Sequence, residues 1–209
     1  SGVDPHEILA VTFTNEAARE LKARIVSSLC ESGADASLIE RVERSKSFGT
    51  IHSFCHRVLS QFGAELQLPA PAGIVDSFSF SIVFFENYTQ WLETLPEATL
   101  RSLLGYYNHR ELKDVVEILY HQRHAFRQSL ALVHAPLGET DALAGILFEA
   151  TLPLFESIER QFQKEGLYSF DDLEHYALQI LEKSLSTRQA LRKMIRRVLV
   201  DEFQDTSSK

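Results

Sequence analysis

The sequence predicts an α/β fold that is mostly α by residue count, and three features predict it. Val198-Leu199-Val200 is a short β-branched run without polar alternation that stops at Asp201 and Glu202. That pattern suits a central parallel strand covered on both faces, with its carboxyl end opening into a crevice. A second apolar run at residues 8–13 gives way at Thr14 to helical spacing, with Ala17, Ala18, Leu21, Ile25 and Leu29 recurring on one face expected to be buried. From 77 to 165 the apolar spacing is helical throughout.

Strands are therefore expected at 8–13, 48–52 and 198–202, with helices nearly everywhere else. Thr14 has the oxygen to cap the helix that follows the first strand. A second strand-to-helix elbow follows His52, where Phe54, Val58, Leu59 and Phe62 form the next stripe. The cluster Pro69-Ala-Pro71-Ala-Gly73 then marks a loop. Beyond it, Phe80, Phe84, Phe85, Tyr88, Trp91, Leu92 and Leu95 make a core stripe. Asn108 and Glu111 form a capping box for a helix with Leu112, Val115, Val116 and Leu119 inside. A third stripe, Leu143, Ile146, Leu147, Leu154, Phe155, Ile158 and Phe162, meets a kink at Pro153 and stops at Gly166. His121 and His124 have too few neighbouring ligands for a metal and are expected at the surface or facing nucleic acid. Ser169 and Asp172 cap the helix that carries Leu173, Tyr176, Ala177, Ile180 and Leu181.

Composition narrows the function. A chain of 209 residues buries roughly 70% of its unfolded surface, enough for one domain or two small ones. No apolar run approaches the ~20 residues of a membrane span, and no export signal opens the chain, so a soluble, cytoplasmic protein without membrane partners is expected. Cys30 and Cys55 lack C-x-x-C spacing, which indicates neither disulfide nor zinc, and Cys55 is expected in the core. The net charge of −8 argues against a generic nucleic-acid coat. A single-strand groove built from stacking side chains and backbone donors is compatible with it. Arg188, Arg192, Lys193, Arg196 and Arg197 cluster before the last strand, where a solvated helix face competes with a functional patch.

The strand ending in Asp201-Glu202 has the layout of a Walker B segment, with a strand-end turn as the plain alternative. In the Walker B reading Asp201 holds the Mg²⁺ of ATP through water, and Glu202 is the catalytic base that orients and deprotonates the attacking water. The full string Asp201-Glu202-Phe203-Gln204-Asp205-Thr206 resembles motif II of superfamily 1 DNA helicases of the UvrD/Rep/PcrA type. Thr12-Phe13-Thr14-Asn15-Glu16-Ala17-Ala18 is similar to motif Ia of that family, and Phe48-Gly49-Thr50-Ile51-His52-Ser53-Phe54 to its next DNA-contact motif. Phe170-Asp171-Asp172-Leu173 precedes motif II at the family's spacing; its residues are explained as caps, and no catalysis is assigned to it. The detail of Ile51-His-Ser-Phe-Cys55 and of the residues from Gly166 to Ala177 is similar to the AddA/RecB helicase-nuclease branch.

The resemblance implies a P-loop NTPase (RecA-like) core with parallel strands and an all-helical insertion. The incomplete first motor domain would occupy 1–76 and 166–209, and the insertion 77–165. It implies Phe13, Thr14, Asn15, His52 and Ser53 as DNA-binding residues, Gln204 as a nucleotide-binding or coupling residue, and ATP with Mg²⁺ as cofactors. Capping alone is the plain reading of Thr14 and Asn15. Glu16 departs from the Lys or Arg that many members carry, which weakens a phosphate contact there. No Gly-x-x-x-x-Gly-Lys-Ser/Thr loop occurs in the chain. An internal fragment is therefore expected, inactive alone, from a helicase that translocates on single-stranded DNA and unwinds duplex DNA in repair or recombination. A partner subunit of a helicase-nuclease complex is a further implied partner. The rival reading is a non-motor DNA- or protein-binding module with vestigial motor motifs.

Overall fold

A computed structural model describes residues 3–125, 127 and 139–201. The chain forms two compact units, 1–70 with 173–209, and 71–172. No cis peptide bond occurs among the described residues.

The first unit begins with strand β1 (Ile8–Thr12), which runs into helix α1 (Asn15–Glu31). Helix α2 (Ala36–Arg44) leads to strand β2 (Phe48–Thr50) and directly into helix α3 (Ile51–Phe62). Lys22 on α1 donates to the Glu43 and Ser45 carbonyls. It thereby satisfies acceptors at the end of α2 that the helix itself leaves open. The expected strand 48–52 is shorter because Thr50 ends it: its hydroxyl accepts from Ser53 N–H at 3.1 Å and caps α3. His52 and Ser53 consequently lie in the first helical turn, not on the strand.

The second unit opens with the short strand β3 (Gly73–Ile74) and helices α4 (Ser77–Thr94), α5 (Glu97–Tyr106), α6 (His109–His121) and α7 (Glu139–Lys164). The capping box of Asn108 and Glu111 is present, and Phe80, Phe84, Tyr88, Trp91, Leu112, Val116, Leu154, Phe155 and Ile158 share one core. Helix α7 runs through Pro153. The Leu143 side chain lies outside the described residues, and Ile146 is exposed, so the inner face of α7 starts at Leu147. Phe85 is also exposed, because the aromatic stripe of α4 is wider than the face its neighbours cover. Gly166 takes φ 68°, the left-handed turn that ends α7, and its carbonyl accepts from Ala72 N–H at 2.8 Å. That turn sets strand β4 (Leu167–Tyr168) parallel to β3, a two-stranded sheet that flanks the helical stretch 77–165 and is absent from the three expected strands.

Helix α8 (Phe170–Lys183) carries the boundary between the units, at 172/173. Helix α9 (Leu185–Met194) and strand β5 (Arg197–Val200) complete the first unit. Its sheet is parallel with order β2-β1-β5. Ala10 pairs with Phe48 and with Leu199, and Thr12 with Thr50. Two expectations change here. Strand β5 is an edge of the described sheet, not its centre, and Val198, Leu199 and Val200 are exposed by 58%, 53% and 36%. On α1 only Ala18 is buried, while Ala17, Leu21, Ile25 and Leu29 are half-buried. Both follow from one cause: no described residue covers the space beside β5 and α1. No helix among the described residues is long and apolar enough to cross a membrane.

Candidate functional site

Parallel pairing brings the carboxyl ends of all three strands of the first unit to one edge. Thr12 stands opposite Thr50, and Asp201 donates its N–H to the Val11 carbonyl at 3.0 Å. Phe13, Thr14 and Asn15 follow β1, His52 and Ser53 follow β2, and Asp201 follows β5. Six of the eight residues singled out in the sequence therefore meet at one sheet edge. Glu202 and Gln204 lie outside the described residues.

The two elbows are built alike. At the first, the Thr12 hydroxyl donates to the Thr14 carbonyl at 2.9 Å, and the Thr14 hydroxyl accepts from Ala17 N–H at 3.1 Å. Thr14 thus does serve as a cap, while Phe13 projects 39% exposed beside it. At the second, Ser53 donates its hydroxyl to the Thr50 carbonyl at 2.7 Å. A Cβ on Gly49 would collide with that hydroxyl, so a side chain there would force Ser53 into another rotamer. Thr50 carried a sequence signal, a hydroxyl three residues before Ser53, but the expected strand length hid it. Each elbow aims the amino end of a helix, with its uncommitted N–H groups, along the same edge. His52 is half-buried and its Nε2 lies 3.1 Å from Glu174 Oε1 on α8. Glu174 had no signal in the sequence, because the pair joins positions far apart in the chain. Cys55 on α3 is buried and Cys30 is exposed; neither forms a disulfide among the described residues.

Asp201 is exposed at the mouth of an open groove of about 870 Å³, lined along α1 by Ala17, Leu21, Ile25 and Leu29 and equally by Glu20, Arg24, Ser28 and, just past its end, Ser32. An accessible carboxylate at a strand end could hold an Mg²⁺ ion through water. The basic residues Arg188, Arg192, Lys193, Arg196 and Arg197 are all exposed. Arg196 pairs with Glu7 at 3.1 Å.

The second unit holds a separate polar cluster. Arg123 is 1% exposed, donates to Glu159 at 2.6 Å and to Asp172, and stacks on the Tyr120 ring at 4.1 Å. His124, expected at the surface, is buried instead, with its Nε2 2.7 Å from Asp172 Oδ1. It is drawn inward because Asp172 needs partners. Burial pushes the Asp172 carboxyl up, but the His124 hydrogen bond, the Arg123 charge and Ser169 together hold it well below the usual carboxylate range. Ser169 and Asp172 cap α8 reciprocally, at 2.9 Å and 3.1 Å. His124, Glu159 and Asp172 place ligand atoms within 4.8 Å of one another. The Arg123 guanidinium already bonds both carboxylates there, so the cation in this cluster is the arginine.

Comparison with known proteins gives one consistent result. The profile of the UvrD/REP helicase N-terminal domain matches residues 1–209. The ATP-dependent DNA helicase SRS2 of Saccharomyces cerevisiae is 27% identical over 211 residues, which cover 98% of this chain and 16% of the relative. The ATP-dependent DNA helicase UvrD1 of Mycobacterium tuberculosis is 27% identical over 206 residues, covering 99% of this chain and 24% of the relative. The ATP-dependent DNA helicase PcrA of Staphylococcus epidermidis is 24% identical over 207 residues, covering 98% and 24%. The chain spans about a quarter or less of the length of these relatives.

Proposed function

The chain belongs to the UvrD/REP helicase N-terminal domain family, and from that premise we propose that it is the first motor segment of a longer ATP-dependent DNA helicase. The observation that carries this reading is the convergence of three strand ends, from β1, β2 and β5, on one edge. In an open parallel sheet that edge is where ligands bind. The longer protein translocates on single-stranded DNA and separates duplex DNA in repair or recombination, in the cytoplasm. A partner subunit of a helicase-nuclease complex fits the AddA/RecB-like detail of the sequence.

Phe13, Thr14, Asn15, His52 and Ser53 grip the single strand, by an aromatic face for a base and by N–H and hydroxyl groups for phosphates. Asp201 would hold Mg²⁺ through water, Glu202 would activate the attacking water, and Gln204 would bind the nucleotide or couple its state to the strand. ATP supplies the phosphoryl group whose hydrolysis drives movement. The half-buried apolar residues of α1 and the exposed edge β5 receive the segment that bears the phosphate-binding loop, upstream in this family. Residues 71–172 act as the helical insertion of this motor domain.

The test uses the full-length protein. Single-stranded DNA should stimulate its ATP hydrolysis, and Phe13→Ala should weaken strand binding by about 1–3 kcal/mol, the worth of one stacked base. The 209 residues alone should neither bind Mg-ATP tightly nor hydrolyse it. A full-length protein that binds DNA without stimulated hydrolysis would favour the non-motor binding module.

A further inference from the structure

His52 is the second residue of α3, in a turn fixed by the Thr50 cap and the Gly49 close approach. Its Nε2 lies 3.1 Å from Glu174 Oε1, and the two side chains are 32% and 31% exposed. Glu174 cannot turn away with its helix, because Leu173, Ala177 and Ile180 of α8 are buried with 2% exposure or less. The carboxylate is therefore delivered to His52 by a packed element, yet the pair itself stands where a solute reaches it.

A carboxylate oxygen accepting from an imidazole N–H makes the same contact that a phosphate oxygen would make. Surface pairs of this kind contribute little to stability, so exchanging one acceptor for another is cheap. Once exchanged, however, Glu174 remains beside the incoming phosphate as a like charge. We propose that Glu174 is an internal stand-in for a DNA phosphate: it holds the His52 ring as a donor at the sheet edge and is displaced when the strand enters. The proposal rests on the reading of His52 as a DNA contact. Glu174 is accordingly a positioning residue that acts through His52 and sets how tightly, and against what competition, the strand is held.

The substitution E174Q separates the two effects. Glutamine retains a carbonyl that accepts from Nε2–H and loses the charge. Affinity for a fluorescein-labelled oligothymidylate is measured by anisotropy at fixed ionic strength, without nucleotide, on the full-length protein, E174Q, H52A and the double variant. Thermal melting checks that all four are folded. H52A should weaken binding. E174Q should tighten it about two- to fivefold, the scale of one surface ion pair, and clearly less when H52A is already present, where only the like charge is relieved. Equal tightening in the H52A background would mean that Glu174 repels DNA without acting through His52, and the proposal fails. Weakening by E174Q would mean that the carboxylate is part of the bound site, and it fails again. An H52A variant that binds as the parent does would remove the DNA role of His52 itself, and the proposal with it.

Discussion

The two units of the chain differ in how far they close upon themselves. In the helical unit Phe84, Leu103, Leu112, Val116, Phe155 and Ile158 are at most 1% exposed, and a buried arginine is met by two carboxylates. In the strand unit an entire apolar strand, β5, is exposed and α1 buries one residue. An apolar edge strand with open N–H and C=O groups invites a further strand. The helical unit encloses its core among the described residues, although Phe78, Phe85, Tyr106 and Ile118 stand exposed on its outside, whereas the open one presents the strand ends, the groove and the residues proposed to do chemistry. Openness here coincides with the proposed site, as a motor that must admit nucleotide and DNA requires.

The largest effects should fall on the open unit and leave the closed one untouched. In the full-length protein Glu202→Gln should lower DNA-stimulated turnover ~10²- to 10⁴-fold while ATP and DNA still bind, since only the base is removed. Asp201→Asn should also impair productive nucleotide binding through loss of Mg²⁺ coordination. Both variants should melt as the parent does. Turnover of Glu202→Gln within a fewfold of the parent would return the acidic pair to a plain strand-end turn.

The converse prediction strikes the closed unit. Asp172→Asn strips Arg123 and His124 of their shared carboxylate while Glu159 still pairs with Arg123, and should destabilise the protein by about 1.5–3 kcal/mol, the worth of a lost hydrogen bond to a charged group. Its pH dependence has a definite sign. The folded Asp172 carboxyl lies below its ordinary 3.8, so its stabilisation is complete above that value and is lost as pH falls further toward the folded one. The parent should therefore lose stability in acid below about pH 4, and Asp172→Asn should flatten that part of the profile. Identical acid profiles in chemical denaturation would show that the cluster does not stabilise the fold.

How legible each unit was in the sequence follows the same division. The strand ends were legible because the chemistry there is written in contiguous strings, Thr12 to Asn15, Thr50 to Ser53 and Val198 to Asp201, which the parallel register then aligns. The capping box at Asn108, the Ser169 and Asp172 caps and the Gly166 stop were legible because they are local. Three things were not. The burial of His124 and the engagement of Glu174 depend on partners 48 and 122 residues away in sequence. Periodicity carries no trace of them. The expected burial of β5 and α1 failed because apolar spacing reports what a face is suited to pack against, and not whether the covering element is present among the described residues.

The smallest predicted effect tests that last point within two adjacent residues. Phe84 and Phe85 belong to one stripe in the sequence, yet Phe84 is 1% exposed and Phe85 58%. Helical geometry separates neighbours by about 100°, and at this turn of α4 the covered side takes in Phe84 and leaves Phe85 outside. Phe84 touches Phe80 and Tyr88, with ring centroids 5.5 and 5.9 Å away. Phe84→Ala should cost about 3–5 kcal/mol, as deletion of a core aromatic does. Phe85→Ala should stay within about 0.5 kcal/mol of the parent, because an exposed ring loses little when truncated. Both values come from urea denaturation of the same protein followed by tryptophan fluorescence, Trp91 lying in the core that the mutation probes. A Phe85→Ala cost near that of Phe84→Ala would mean that Phe85 is covered in solution, and the contrast between a closed helical unit and an open strand unit would have to be redrawn around α4.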